Sequence, residues 1–375
     1  MAASLAAAVT FTACGSSDDA DGGTAAATSA TATTTTASGG AGLAAVEAKV
    51  AELRKPPRPI DVPALGRRPP SGRSAVWIGC KYPECAAVAG ALTPALKSLG
   101  WRLTTLTPDV TPEAIAAAWT QAVAEKPGVI FAIDVVPVAA IAAQLEQAEK
   151  DGIKVITTGG PTQVGDQGVD AAIGSVPFHQ ANATAMTDWA IADSQGKGKI
   201  VLLYDPSIPL QQSVLEAVEQ AAAQCPDCTL DTLRVQLAEA GKTIPGQVVS
   251  YIQSHPDVNY VITTGSGALG IGQALKSAGL TDVKLASSFS QQQNLQLVKD
   301  GVEAAAIPNE GVSLGWRMAD AAARLEAGET VPEALAAPVG QRQLFDGDNI
   351  GEADVSRQWD VPDTAATFER AWLVQ

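Results

Sequence analysis

Histidine is nearly missing from this chain, with only His179 and His255 among 375 residues. That leaves no clustered imidazoles for a metal centre or a general base, and neither a nucleophile elbow nor a paired-carboxylate signature takes their place. A surplus of positive charge is missing as well. The 25 Lys and Arg stand against 40 Asp and Glu, a net charge of −15, so no basic face exists to neutralise the phosphates of nucleic acid or an anionic lipid surface. Aromatic residues are scarce at 5%, which suits Ala- and Val-rich layers of helix on sheet. Long apolar runs are lacking near the N-terminus too: the run at 5–13 falls well short of the roughly 20 residues that cross a bilayer as a helix. What is present is enough chain for two ordinary domains with a sizeable core.

The run at 5–13 stops at Cys14 and is followed by Gly15-Ser16-Ser17-Asp18-Asp19, the pattern of a secretory h-region meeting its cleavage site. Phe11-Thr12-Ala13-Cys14 resembles a bacterial lipobox, which implies that residues 1–14 are a lipoprotein signal ending in a lipidated Cys14. Phe11 departs from the aliphatic residue usual there, and no Lys or Arg precedes the run. Residues 15–42 are almost wholly Ala, Thr, Ser, Gly and Asp, with nothing to bury, and are expected to form a disordered tether. A short helix at 43–54 follows, with Leu43, Val46, Val50 and Leu53 on one face. Pro56, Pro57, Pro59, Pro63, Pro69 and Pro70 then impose extended chain, so residues 15–73 read as tether and Pro-rich lead-in.

Strand and helix alternate from residue 74 onward, with short Gly, Pro and Asp breaks. In the first half, strands are expected at 74–80, 101–106, 128–133, 153–157 and 171–175, and helices at 86–98, 112–124 and 137–150. In the second half, strands fall at 199–204, 229–235, 259–263, 283–288 and 304–307, and helices at 208–224, 244–254, 268–278, 292–300 and 311–327. This is an α/β chain of two doubly wound parallel-sheet lobes, with a ligand crevice outside the carboxyl ends of the strands. Trp101, Trp119, Trp189 and Trp316 fall on core faces, and Trp77 lies in a buried strand.

Short phrases recur along this order of elements: ALKSLG at 95–100, AWTQA at 118–122, Lys126-Pro127-Gly128-Val129-Ile130, AEKDGIKVI at 148–156, GKGKIV at 196–201, His255-Pro256-Asp257-Val258, Ala268-Leu269-Gly270 and LVKDG at 297–301. Together they resemble the ribose-type periplasmic sugar-binding family of ABC-transporter receptors, over about residues 74–330. The resemblance implies the type I periplasmic-binding fold, its lobes joined by a three-crossing hinge near 175–178, 307–310 and 339–341. The first lobe would comprise 74–176 plus 309–340, and the second 177–308 plus 341–375. It further implies a monomeric extracytoplasmic receptor, not an enzyme, with no cofactor or metal. Held to the membrane by its N-terminal lipid, the receptor would deliver a small sugar-like solute to ABC permease subunits. A sensory receptor handing the same closed clamp to a membrane kinase is the alternative, and the lack of a fused output domain favours transport.

Carried over by position, ligand contacts would come from Lys81 and Tyr82 after the first strand, with Tyr82 free to stack on a sugar face. Asp134 follows the third strand, and Gly159 the fourth, where Gly159-Gly160 stands in place of the family's usual charged pair. The second lobe would add Asp205, Gln211 and Gln212 (the last two where the family has Arg), Thr264 in place of an Asn-Asp pair, Phe289 in place of Asp, and Asn309 at the hinge. A catalytic carboxylate dyad of Asp134 and Asp205 is a second reading of those two residues, and hydrogen bonding to a ligand needs fewer parts. Charged hydrogen bonds are the stronger kind, at roughly 1.5–3 kcal/mol each. Their replacement points to a less polar ligand or a different scheme of polyol contacts.

Four further cysteines fall as Cys80-x4-Cys85 and Cys225-x2-Cys228, and an oxidising compartment favours two local disulfides. A zinc site would need all four together, yet they lie in different lobes. Gly265-Ser266-Gly267-Ala268-Leu269-Gly270 fits the dinucleotide fingerprint, but the next strand ends without an acidic residue for a ribose.

Overall fold

In the computed structural model, which describes residues 37–337 and 341–373, the alternation resolves into two sheets. The described chain opens with α1 (Ala37–Leu53). The first sheet is built from β1 (Ser74–Ile78), β2 (Arg102–Leu106), β3 (Val129–Ile133), β4 (Lys154–Thr158) and β5 (Ala171–Ile173). These strands run parallel in the order β2-β1-β3-β4-β5. Between them come α2 (Pro83–Ser98), α3 (Pro112–Ala124) and α4 (Ala142–Lys150), the last preceded by a 3-10 turn at Val138–Ile141 where a continuous helix was expected.

Period-two alternation divides the core across this sheet. Trp77, Phe131 and Ile156 pack with α2 on one face. Val76, Ile78, Ile130 and Val155 pack with Trp119 and Leu145 of α3 and α4 on the other.

The second lobe holds α5 (Val176–Asp193), β6 (Lys199–Tyr204), α6 (Pro209–Ala222), β7 (Thr229–Arg234), α7 (Ile244–Ser254), β8 (Tyr260–Thr264), α8 (Ile271–Ser277), β9 (Lys284–Ser290), α9 (Gln292–Lys299) and β10 (Ala305–Pro308). Its sheet has the order β11-β10-β9-β8-β6-β7, parallel except for the short antiparallel strand β11 (Phe345–Asp346). Ile200, Leu202 and Ile262 pack towards α5 and α6, while Val201, Leu203 and Val261 pack towards α7 and α8.

Three differences from the sequence reading have physical causes. Helix α5 carried no signal because it is buried nearly all round, with Phe178, Asn182, Met186 and Trp189 among its enclosed residues, so it has no polar face to set a period. Residues 341–375 do not all belong to the second lobe. After β11 the chain returns, and α11 (Thr364–Ala371) buries Phe368 and Trp372 against Trp316 of α10 (Gly311–Ala327) in the first lobe's core. The Trp316 and Trp372 rings stack with centroids 5.4 Å apart.

Residues 37–73, within the stretch assigned to tether and lead-in, are docked rather than free. The Val46/Val50 stripe of α1 is buried on the second lobe, and Ile60 and Leu65 on the first. His179, which lies in α5, is buried. Residues 1–36, with Cys14 and most of the proposed tether, lie outside the described residues. No helix among the described residues is long and apolar enough to cross a membrane.

Candidate ligand-binding site

Turns at the carboxyl ends of the two sheets approach one another across the lobes, with Tyr82 after β1 within electrostatic reach of Asp205 after β6. Pro83 opens α2 immediately after β1, and the Cys80–Cys85 disulfide, with Cα atoms 5.5 Å apart, clips this turn. Glu84 stands on this turn, facing Ser266 of the second lobe, so the two rims approach one another here. Burial pushes the Glu84 carboxyl above its ordinary range. Tyr82, at the N-cap of α2, is exposed at 41%, and its hydroxyl is raised by partial burial and by Asp205 of the opposite lobe. Lys81 is drawn aside into an ion pair with Asp109 at 2.5 Å.

The two strand-end aspartates are committed to their own loops. Asp134 Oδ2 accepts from the Thr162 amide at 2.7 Å, and desolvation raises its carboxyl. The Gly159-Gly160 step exists for this contact, since a Cβ on Gly160 would lie 2.4 Å from the Asp134 carboxylate carbon, and Gly159 sits at φ +78°. Asp205 is buried; its Oδ1 accepts from the Ser207 amide (3.0 Å) and hydroxyl (2.6 Å), and its Oδ2 from the Leu237 amide (2.8 Å). Both carboxylates thus act as loop caps.

A different set of polar atoms remains uncommitted. Thr158 Oγ1 at the end of β4, Thr264 Oγ1 at the end of β8, Gln291 Nε2 after β9, and both Oδ1 and Nδ2 of Asn309 after β10 are buried without a hydrogen-bond partner. Native proteins seldom leave such groups orphaned unless something else meets them. Asn309 is fully buried where the chain passes from β10 to α10; its backbone N–H donates to Ser290 O at 2.7 Å, leaving the side-chain amide uncommitted.

Phe289 sits beside this set at φ +55°, a left-handed conformation rare for a bulky residue and characteristic of sites where a fold holds a side chain for use. Its ring lies 4.8 Å from that of His179, whose imidazole burial pushes down to about 4, so the pair presents a neutral aromatic face. Gly265 is required behind it, because a Cβ there would come within 2.6 Å of Ser290 Cα.

Of the residues expected from sequence, the strand-end turns carry Tyr82, Thr264, Phe289 and Asn309. Gln211 is buried within α6, while Gln212 is exposed and accepts from Tyr204 Oη at 2.9 Å. Glu84, Thr158, Gln291 and His179 were missed. The first three lie one to four residues beyond the strand ends read from sequence; β4 and β9 run on to Thr158 and Ser290, which brings Thr158 and Gln291 to the rim. Gly267 of the glycine-rich turn is packed against Thr263 Oγ1, where a Cβ would lie at 2.3 Å, and the following α8 spans only 7 residues.

Residues 86–330, well over half of the chain, match the periplasmic binding protein domain family. The chain belongs to that family. Periplasmic binding proteins are extracytoplasmic solute receptors rather than enzymes, in keeping with a crevice whose carboxylates cap loops. Among solved structures this periplasmic binding protein is similar to an ABC transporter solute-binding protein from Agrobacterium vitis with bound allitol, at 19% identity and TM-score 0.63, covering 75% of this chain and 98% of that one. It is similar also to one from Burkholderia graminis in complex with D-arabinose (16% identity, TM-score 0.64, covering 76% and 98%). A third, from Mycobacterium smegmatis with bound glycerol, gives 20% identity and TM-score 0.62, covering 76% and 96%. These likenesses establish the shared fold. No curated protein gives a significant match.

Proposed function

We propose that this protein is the solute-binding component of an ABC transporter, monomeric and held at the membrane by lipid on Cys14, and that it takes a neutral sugar or polyol between its lobes. The observation that carries the reading is the set of uncommitted hydroxyl and amide atoms on Thr158, Thr264, Gln291 and Asn309 at the strand ends, beside the aromatic face of Phe289. Hydroxyls and amides both donate and accept, as the hydroxyl groups of a polyol do. Asp134 and Asp205 are occupied with backbone amides and burial favours the neutral form of Glu84, so the crevice offers a cationic solute little free anion. The allitol, D-arabinose and glycerol bound by the similar structures support the same class of solute.

The test is a thermal-shift screen of pentoses, hexoses and alditols. A solute at about 100 times its Kd adds roughly 2.7 kcal/mol of stability and a clear rise in Tm. Asn309→Leu is expected to weaken that solute about 10- to 100-fold, the loss of one or two buried hydrogen bonds. A panel that leaves Tm unmoved while a charged amino acid or metal complex raises it would overturn the reading.

A further inference from the structure

Residues 37–73 precede the stretch that matches the family, yet they are fastened to both lobes. On the second lobe, Val50 packs with Trp189 and Leu202, and Val46 with Ile191 and Cys225. Arg54 Nε and Nη2 donate to Asp346 Oδ2 at 3.0 and 2.7 Å, and the amide of Leu344 donates to Leu53 O at 2.8 Å. Arg54 O accepts in addition from Gln343 Nε2 and Asn349 Nδ2, at 3.1 and 3.0 Å. On the first lobe, Ile60 and Leu65 enter the core. There the Leu65 amide donates to Ala371 O (2.8 Å), Arg67 Nε to Ala327 O (3.0 Å), and Trp101 Nε1 to Pro70 O (2.7 Å).

Only residues 55–59 lie between the two sets of anchors. Three of these five are proline, so φ is fixed at each, and Lys55, Pro56 and Arg58, each preceding a proline, are held extended. This short rod passes beside Gln341 and Arg342 without filling the space against them. A cavity of about 590 Å³ is lined by Lys55, Pro56, Pro57 and Arg58 on one side and by Gln341 and Arg342 on the other.

We propose that residues 37–73 act as a strap across the hinge, limiting how far the two lobes separate. Detaching either end would expose two core side chains, at about 1.5–3 kcal/mol each, besides breaking the Arg54–Asp346 pair at one of them, so both ends stay attached when the lobes move. The linking rod must then absorb the displacement. Five residues in polyproline geometry span about 15 Å, and pulling them to full extension adds only about 2 Å. Lobe separation beyond that is resisted by the strap, and because it continues directly from the N-terminal segment, tension there is felt by both lobes.

The proposal rests on the two-lobe clamp and not on the identity of the solute, so it is tested without solute. Spin labels at Glu125 of the first lobe and Lys276 of the second, in the full chain, report the interlobe distance distribution. A variant with Gly-Ser-Gly-Ser inserted between Pro57 and Arg58 keeps every anchor and lengthens only the link. Four extra residues add up to about 13 Å of reach, so its distribution is expected to extend about 3 Å or more beyond the longest separations of the parent. A second variant, Val50→Asp with Arg54→Ala, releases α1 and is expected to broaden it further. If the folded insertion variant gives a distribution superimposable on that of the parent, the strap does not limit the lobes and the proposal is overturned; that variant decides the matter alone should the second fail to fold.

Discussion

Replacing Glu303 by Gln is expected to stabilise the protein at pH 8 and to leave it nearly unchanged near pH 4. Glu303 is 2% exposed, and burial raises its carboxyl from 4.5 to about 7. Among the described residues no cation compensates it; its partners are Asn294 Nδ2, which donates to Oε1 at 2.7 Å, and Ser287 Oγ, 2.7 Å from Oε2. Proton counting explains why the acid form fits. Ser290 Oγ donates to Ser287 O at 3.0 Å, and the Ser287 and Ser290 hydroxyls stand 2.7 Å apart. Ser287 has one proton for two short contacts, so a carboxylate at 303 leaves one of them without a hydrogen. A protonated Glu303 donates to Ser287, Ser287 donates to Ser290, and the chain closes.

The sign follows from linkage. With the folded carboxyl at about 7 and the unfolded one near 4.5, the stabilising contribution is fully present below pH 4.5 and is lost as pH rises through 7. Ionisation in the folded state therefore costs about 3 kcal/mol at pH 8, reckoned at 1.36 kcal/mol per pH unit. Glutamine offers Nε2 to Ser287 and Oε1 to Asn294 without a charge. His179 works in the opposite direction: its imidazole, lowered to about 4, contributes stability that is present above 6.5 and lost as pH falls towards 4. The two trends oppose each other over much of the same window, so the parent profile alone is uninformative. The assay is urea denaturation of parent and variant from pH 4 to 8, with stabilities compared at equal slope. A difference of about 3 kcal/mol at pH 8 that shrinks towards zero at pH 4 is expected. A difference independent of pH would refute the reasoning.

Other substitutions follow from single contacts. Gly160→Ala places a Cβ 2.3 Å from Asp134 O, so the β4 loop must shift; a loss of about 2 kcal/mol or more in a denaturation titration is expected. Trp372→Phe keeps the ring stack with Trp316 but removes the Nε1 donor to Asp320 Oδ1 at 2.8 Å, and leaving that oxygen unpartnered should lower stability by about 1–3 kcal/mol. Converting Cys225 and Cys228 to Ser opens a four-residue ring and should cost about 2 kcal/mol, read as a lowered Tm under non-reducing conditions.

The central strands were legible because each couples a short apolar run to a turn signal, the edge strands β2 and β7 through alternation instead, and helices with one apolar stripe, such as α3 and α7, were bounded to the residue. Helix α5 was not, since burial on all sides erases the contrast that periodicity needs. The docking of α1 was half visible: Leu43, Val46, Val50 and Leu53 marked an apolar face, but a face does not say which surface covers it. The C-terminal return to the first lobe was invisible for the same reason, since Phe368 and Trp372 find their partner in Trp316, about 50 residues earlier.

At the crevice, sequence position located the loops but not the use of each side chain. Asp134 and Asp205 stand at strand ends as a ligand-binding residue would, and only the geometry reveals that backbone amides already occupy them. Asn309 and Phe289 carry their meaning in an orphaned amide and a positive φ, neither of which has a sequence signature.

Hydrogen–deuterium exchange with and without a sugar or alditol that raises Tm tests the central claim most directly. Slowed exchange is expected on both sheets at once, in the turns after β1, β4, β8 and β9 and at the β10–α10 crossing. Protection confined to one lobe, or to the outer helices, would contradict a crevice that closes on its solute from two sides.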